Sequence, residues 1–262
     1  MSKERRVSVI MPIHNEAEYL PRSLESLKRI EDQIFEHIFI LDRCTDNSEA
    51  MVRQWFPHTT IVRKETCKWK YSVAENFQMG LEMSKGNIIC THDADATTPP
   101  DLLSLLDELK GNVASVGPEL LTWKKASLLN RLYYYWEKTR KFAPLGEEPW
   151  GALRLIRRDC LEKVGGFKDV FSQETQLDIE LRKAGYQSKV VKNMTYYHLR
   201  KFSFMKAINT QMQAGKMRRL IKMPLWRVFG HAIIRLRPFI LYGYLCGKKD
   251  NPRKDNQCQQ RV

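Results

Sequence analysis

Long uncharged apolar runs are absent from this chain of 262 residues. The best candidate, residues 223–247, is broken by Arg227, His231, Arg235, Arg237 and Pro238. A charge at the bilayer centre costs several kcal/mol, so no transmembrane span is expected. The six cysteines (Cys44, Cys67, Cys90, Cys160, Cys246 and Cys258) form no CxxC pair and show no metal-ligand spacing. Reduced thiols in a cytoplasmic protein are therefore expected. The first residues are charged and run directly into a strand, a pattern without a signal peptide. No two histidines stand at ligand spacing, which argues against zinc. Internal repeats, low-complexity segments and recognisable nucleic-acid modules are also lacking, so no specific nucleic-acid partner is expected.

Acidic residues are scarce in one region only. From Lys183 to Val262, eighteen Lys/Arg face Asp250 and Asp255 alone, a balance of +16 in a chain whose net charge is +14. The basicity thus lies entirely in the last third, and it points to an anionic partner there. Leu225, Trp226, Phe229, Ile233, Phe239 and Tyr242 interleave with the arginines of residues 223–247. That mixture fits a helix lying in an anionic membrane interface, with a pair of core-packing helices as the alternative. In a helix starting near Ser203, Lys216 and Arg219 share a face and, with Arg200, offer a clamp for a phosphate group. Another helix is expected from Trp123 to Phe142. Trp150, in a loop at Gly146–Gly151, has an apolar face able to stack on the ring of a ligand.

The most informative stretch that is present is Ile88–Pro100, an apolar strand running into Asp93-Ala94-Asp95 and then Pro99-Pro100. Residues two apart on a strand share a side, so the two carboxylates can aim at one small volume. Hard oxygen ligands of this kind suit Mg2+ or Mn2+, whose remaining ligands come from water and substrate phosphates. Upstream, the chain alternates strand and helix: a strand at Arg6–Ile13, leucines at helical spacing (Leu20, Leu24, Leu27), a strand at His37–Leu41, a helix at Glu49–Trp55, a strand at Thr60–Arg63 and a helix at Ser72–Met83. Alternation of this kind predicts βαβ crossovers and a mainly parallel sheet, whose ligands bind beyond the carboxyl ends of the strands. His14-Asn15-Glu16, Asp42 and Asp93/Asp95 each follow a strand end and should meet at one edge.

Pro12-x-x-Asn15-Glu16, Leu41-Asp42 before Thr45-Asp46-Asn47-Ser48, Asp93-Ala94-Asp95 with Pro99-Pro100, Gly151-Ala-Leu-Arg, Val164-Gly165-Gly166-Phe167, Glu174 and Ala184-Gly185-Tyr186 occur in that order. Together they resemble a family 2 glycosyltransferase of the GT-A fold, and the spacing of Asp-Ala-Asp to Pro-Pro is nearest the polyprenyl- or dolichyl-phosphate sugar synthase branch. The resemblance implies a donor pocket lined by Pro12, His14, Asn15, Glu16, Asp42, Arg43, Lys70, Asp93, Ala94 and Asp95. It further implies a divalent metal (Mg2+ or Mn2+) on Asp95 with Asp93 nearby, and a base at Glu174, with Asp178 as second candidate. An inverting transferase needs one carboxylate to take the acceptor proton, while the metal stabilises the departing nucleoside diphosphate.

The reading is then a GT-A catalytic domain at 1–200, a basic amphipathic helical segment at 201–247, and a polar, disordered tail at 248–262. The expected activity is sugar transfer from GDP-mannose or a UDP-sugar to a lipid phosphate or lipid-linked glycan, by a protein peripheral to the cytoplasmic membrane face. A nucleotidyltransferase on a similar sheet and a non-catalytic basic membrane-binding module are the alternatives.

Overall fold

A computed structural model describes residues 5–139, 149, 151–220, 222–234 and 237–246. They fall into two compact units: one takes residues 5–122, 149 and 151–200, and the other residues 123–139 and the described part of 201–246. Trp150 and the tail at 248–262 lie outside the described residues.

The first unit is an α/β layer structure around a seven-stranded sheet of order β3-β2-β1-β4-β6-β5-β7. Its strands are β1 Val7–Ile13, β2 Glu36–Asp42, β3 Thr60–Lys64, β4 Ile88–His92, β5 Val113–Thr122, β6 Leu153–Arg157 and β7 Gln187–His198. Strands β3, β2, β1 and β4 run parallel, and β7 is parallel to β5. Only β6 is reversed, pairing antiparallel with both β4 and β5. The central strands read as continuous apolar runs because helices cover both faces of the sheet. One layer of core gathers Met11, Leu24, Phe39 and Leu155. The other gathers Ile10, Ile38, Phe77 and Ile156.

Helix α1 (Leu20–Lys28) buries Leu20, Leu24 and Leu27, the residues at helical spacing, and opens with Pro21 where a missing N–H is harmless. Helices α2 (Ser48–Trp55) and α3 (Ser72–Met83) stand where the sequence pattern puts them. The acidic motif differs. Strand β4 ends at His92, and Asp93–Asp95 form a turn closed by Ala96 N donating to the Asp93 carbonyl (3.1 Å). The two carboxylates therefore come together through a turn, not through the alternation of a strand.

In the second unit, α4 (Leu128–Thr139) comes from the middle of the chain, and α7 (Phe204–Leu220), α8 (Leu225–Ile234) and α9 (Pro238–Cys246) from its end. Helices α5 (Arg158–Lys163) and α6 (Gln173–Lys183) belong to the first unit. The expected interfacial helix over 223–247 is two helices, because Pro238 lacks a donor for the preceding turn and instead begins α9. Helices α7 and α9 touch backbone to backbone: a Cβ on Gly215 would lie 2.1 Å from the Ile240 carbonyl, and one on Gly243 2.1 Å from that of Met212. Among the described residues no helix is long and apolar enough to cross a membrane.

Candidate active site

Three loops at the carboxyl edge of β1, β2 and β4 are tied together by the residues that open them. Asn15, with φ of 51°, follows β1 and accepts through Oδ1 from Thr45 N (2.8 Å) and Asp46 N (3.3 Å). Asp46 returns the link, accepting from Ala17 N (2.9 Å), and Glu16 N donates to Ser48 Oγ (3.1 Å). His14 Nδ1 bonds the Asp42 carbonyl. The loops after β1 and β2 thus form one rigid edge, with Pro12 in the last turn of sheet pairing beside Ile40.

Asp42 is 2% exposed, and its carboxylate is committed inward. Oδ2 accepts from Ser72 Oγ and Asn76 Nδ2, and Oδ1 from Arg43 Nε (2.8 Å). Lys64, also buried, donates to Ser72 and Asn76 and pairs with Glu75 (2.7 Å). Burial works against ionisation of Asp42, but these hydrogen bonds outweigh it and hold the carboxyl below its ordinary range. The partly exposed group at this strand end is the Arg43 guanidinium. Lys70 sits before α3, its backbone N–H on Asp169 (3.0 Å) and its ammonium over the Tyr71 ring.

The Asp93–Asp95 turn is zipped to the end of β7. Thr97 N donates to the Tyr197 carbonyl (3.0 Å), Tyr197 N to Thr97 Oγ1 (2.9 Å), and Leu199 N to the Asp95 carbonyl (2.8 Å). Ala96 and His198 form an antiparallel bridge. This pairing delivers two side chains to the acidic pair. His198 Nε2 lies 3.3 Å from Asp95 Oδ1, and Arg200 bonds Asp95 Oδ2 through Nε and Glu16 Oε1 through Nη2. Asp93, Asp95 and His198 each offer one ligand atom, all within 4.8 Å of one another. Two hard carboxylate oxygens and an imidazole make a donor set that fits Mn2+ or Mg2+. Glu16 Oε2, buried and without a hydrogen-bond partner, adds a further oxygen at this edge. Burial raises Glu16 to about 7; Arg200 opposes the rise, and Asp95 and Asp93 add to it. Burial also opposes the ionisation of Asp95, but His198 and Arg200 hold it below the ordinary value.

Glu174, in the first turn of α6, reaches the same edge through Gly151. A Cβ on Gly151 would meet Glu174 Cβ at 3.0 Å. The adjoining carbonyls hold the acidic turn: Asp93 N donates to Ala152 O (2.8 Å), and Thr91 Oγ1 to Gly151 O (3.1 Å). Asp178, one turn further along α6, is engaged elsewhere. Its carboxylate pairs with the fully buried Arg154 (2.7 Å) and accepts from Ser188 Oγ (2.6 Å), while Arg154 Nε donates to Ser115. As the second candidate base it is set aside, since its oxygens are occupied inside the protein. In the helical unit, Arg219 donates to the carbonyls of Tyr244 (3.3 Å) and Leu245 (2.9 Å) and closes the end of α9, and Lys216 is half-buried on the same helix.

His198 is the functional candidate that sequence reasoning missed as a ligand. Its only sequence signal is that it stands two residues before Arg200 at the end of a polar strand, and Arg200 is 105 residues from Asp95.

Residues 8–165 match the family model described as "Glycosyl transferase family 2". The chain is 27% identical over 214 residues to a probable glycosyltransferase, YdaM, of Bacillus subtilis, covering 71% of this chain and 49% of that one. It is 30% identical over 104 residues to the undecaprenyl-phosphate 4-deoxy-4-formamido-L-arabinose transferase of Proteus mirabilis, covering 38% and 32%. The chain therefore spans half or less of these curated relatives. Among solved structures, a mannosyltransferase of Pyrobaculum calidifontis in complex with GDP-Man and Mn2+ superposes with a TM-score of 0.63 at 21% identity, covering 93% of this chain and 71% of that one. Glucosyl-3-phosphoglycerate synthase of Mycobacterium tuberculosis, solved with Mn2+, UDP and phosphoglyceric acid, gives 0.58 at 18% identity, covering 80% and 76%. The mostly parallel sheet is that of the GT-A fold.

Proposed function

Since the chain belongs to the family 2 glycosyl transferases, we propose that it moves a sugar, with inversion and metal assistance, from a GDP- or UDP-linked donor to a lipid phosphate or lipid-linked glycan. The observation that carries this is the meeting of Asp93, Asp95 and His198 at the carboxyl edge of the parallel strands, with Glu174 reaching that edge across Gly151. The two carboxylates and the imidazole hold the divalent ion, and the imidazole favours Mn2+ over Mg2+. When bound, that ion offsets the charge that builds on the departing nucleoside diphosphate. Asn15, Glu16 and Arg43 line the donor pocket. Arg200 fixes one oxygen of Asp95 and leaves the other on the His198 side. Glu174 takes the proton of an attacking hydroxyl; toward a phosphate acceptor, already ionised near neutral pH, it orients the nucleophile instead. In-line attack requires no covalent intermediate.

A lipid-borne acceptor and peripheral attachment to the cytoplasmic membrane face are supported by the helical unit. Helix α8 turns Trp226, Phe229 and Ile233 outward (70, 52 and 57% exposed) while burying Val228, and residues 201–246 contain no acidic residue. The undecaprenyl-phosphate transferase of Proteus mirabilis supports the same acceptor class.

The test is calorimetric titration with GDP- and UDP-sugars, with and without Mn2+, on wild type, Asp95→Ala and His198→Ala. Binding of one sugar nucleotide that needs Mn2+, disappears in Asp95→Ala and weakens about tenfold in His198→Ala is expected. Metal-independent binding unchanged in both variants refutes the metal site. Pyrophosphate release from a nucleoside triphosphate would replace transfer by nucleotidyl chemistry.

A further inference from the structure

The carboxyl edge of the sheet has a direction. Strand order places β6 on one side of β4, and β1 followed by β2 on the other. Gly151, just before β6, sets Glu174 on the first side of the Asp93–Asp95 turn, whereas Asn15, Glu16 and then Arg43 follow on the second. Neighbouring strands lie about 4.8 Å apart, so the end of β2 stands roughly 10 Å from the acidic turn, in the direction away from Glu174. On the transfer reading the sugar faces Glu174 and the phosphates meet the ion. The nucleoside then runs across β1, and its base arrives at the end of β2.

The group presented there donates hydrogen bonds. The side-chain acceptors of the two loops are engaged in holding them: Asp42 by Ser72, Asn76 and Arg43, Asn15 Oδ1 by Thr45 N and Asp46 N, and Asp46 by Ala17 N and Ser48 N. The Asp42 side chain is 2% exposed, that of Arg43 29%. Arg43 has φ of 51°, a conformation uncommon for a long side chain, and its N–H donates to the Lys64 carbonyl (2.9 Å). Its Nε donates to Asp42 Oδ1 (2.8 Å), which anchors one edge of the planar guanidinium; the outer edge, Nη1 and Nη2, forms a fork of fixed geometry. An arginine fork matches guanine, whose O6 and N7 are adjacent acceptors. Adenine instead sets an amino donor beside N7, and uracil holds an N–H between its two carbonyls. We infer that Arg43 selects a guanine base by donating to O6 and N7, so that the sugar donor is GDP-linked. This rests on the transfer reading and narrows it. Arg43 is a specificity-determining residue, since it touches the base and not the reacting atoms.

The test is calorimetric titration of the full chain, in Mn2+, with GDP, UDP, ADP and 7-deaza-GDP, which lacks the N7 acceptor. Wild type should bind GDP at least about tenfold more tightly than UDP or ADP. It should bind 7-deaza-GDP about tenfold more weakly than GDP, because one charge-assisted hydrogen bond is gone. Arg43→Lys keeps the charge and loses the fork. It should weaken GDP about tenfold, leave UDP unchanged and no longer distinguish GDP from 7-deaza-GDP. An arginine serving only to hold Asp42 predicts instead that GDP and UDP weaken together in the variant and that wild type binds the deaza analogue as it binds GDP. UDP bound as tightly as GDP, or 7-deaza-GDP as tightly as GDP, overturns the inference and leaves the transfer reading standing. Failure of all four nucleotides to bind in Mn2+ removes that reading and this inference with it. Should Arg43→Lys fail to fold, the comparison of GDP with 7-deaza-GDP on wild type decides alone.

Discussion

Glycine 151 sets the position of the candidate base. The Glu174 side chain rests against its Cα, so a methyl there must move Glu174 by a few tenths of an ångström or be refused. Displacement on that scale at a reacting group lowers kcat more than it alters ground-state binding. Gly151→Ala should therefore reduce kcat by about tenfold with KM for the donor nearly unchanged, as steady-state kinetics will measure. An unchanged kcat removes Glu174 from the chemistry. The sequence singled out Glu174 as a candidate by its place among the ordered motifs, between Val164-Gly165-Gly166-Phe167 and Ala184-Gly185-Tyr186. It did not make legible that Asp178, a turn later and equally acidic, is taken up by Arg154. That pairing crosses from α6 to β6, and no local spacing records it.

At the scale of elements, α6 does two jobs from one face region, offering Glu174 at its first turn and anchoring the sheet through Asp178 at its second. Arg154 is 1% exposed and reaches Ser115 on β5, Ser188 on β7 and Asp178 on α6. Removing one partner of a buried pair leaves the other charge uncompensated, at about 3–5 kcal/mol. Asp178→Asn should cost roughly 3 kcal/mol in denaturant unfolding while the folded protein keeps kcat within about twofold; Glu174→Gln should show the reverse, with a loss of about a hundredfold in kcat. The strands and first three helices were readable because two covered faces demand apolar runs and amphipathic helices show their period. The Asp93–Asp95 turn and its zipper to β7 were not, since a backbone ladder needs no particular side chain and leaves little trace in composition.

For the whole molecule, acid sensitivity follows from histidines that the fold keeps neutral. His37 packs against Phe39 and Phe56; burial lowers it to about 4, with Glu31 opposing and Lys28 adding. In the unfolded chain it titrates near 6.5. Between those values the unfolded state binds the extra proton, so stability is intact at pH 7 and falls as pH drops from 6.5 toward 4. His92, bonded to Thr98 and also lowered to about 4, acts in the same sense. His37→Phe should match wild type at pH 7 and exceed it increasingly on acidification, by roughly 3 kcal/mol near pH 4. Parallel pH curves for the two proteins would assign the acid sensitivity elsewhere. The concentration of positive charge in residues 183–262 was legible at this scale from composition alone. Which arginine closes which helix was not, because Arg219 reaches the Tyr244 and Leu245 carbonyls only once α7 and α9 have packed together.

The zipper between Thr97 and Tyr197 also sets an order of assembly. Strands β1, β2 and β4, with most of the donor-side residues, are complete before residue 100 has been made, whereas His198 and Arg200 lie another hundred residues on. During synthesis a nascent chain can thus form the loops after β1, β2 and β4 long before the proposed metal site is complete. On the proposed reading, competence to consume the donor arrives as a single late event, when β7 is laid beside β5 and its last residues clasp the acidic turn.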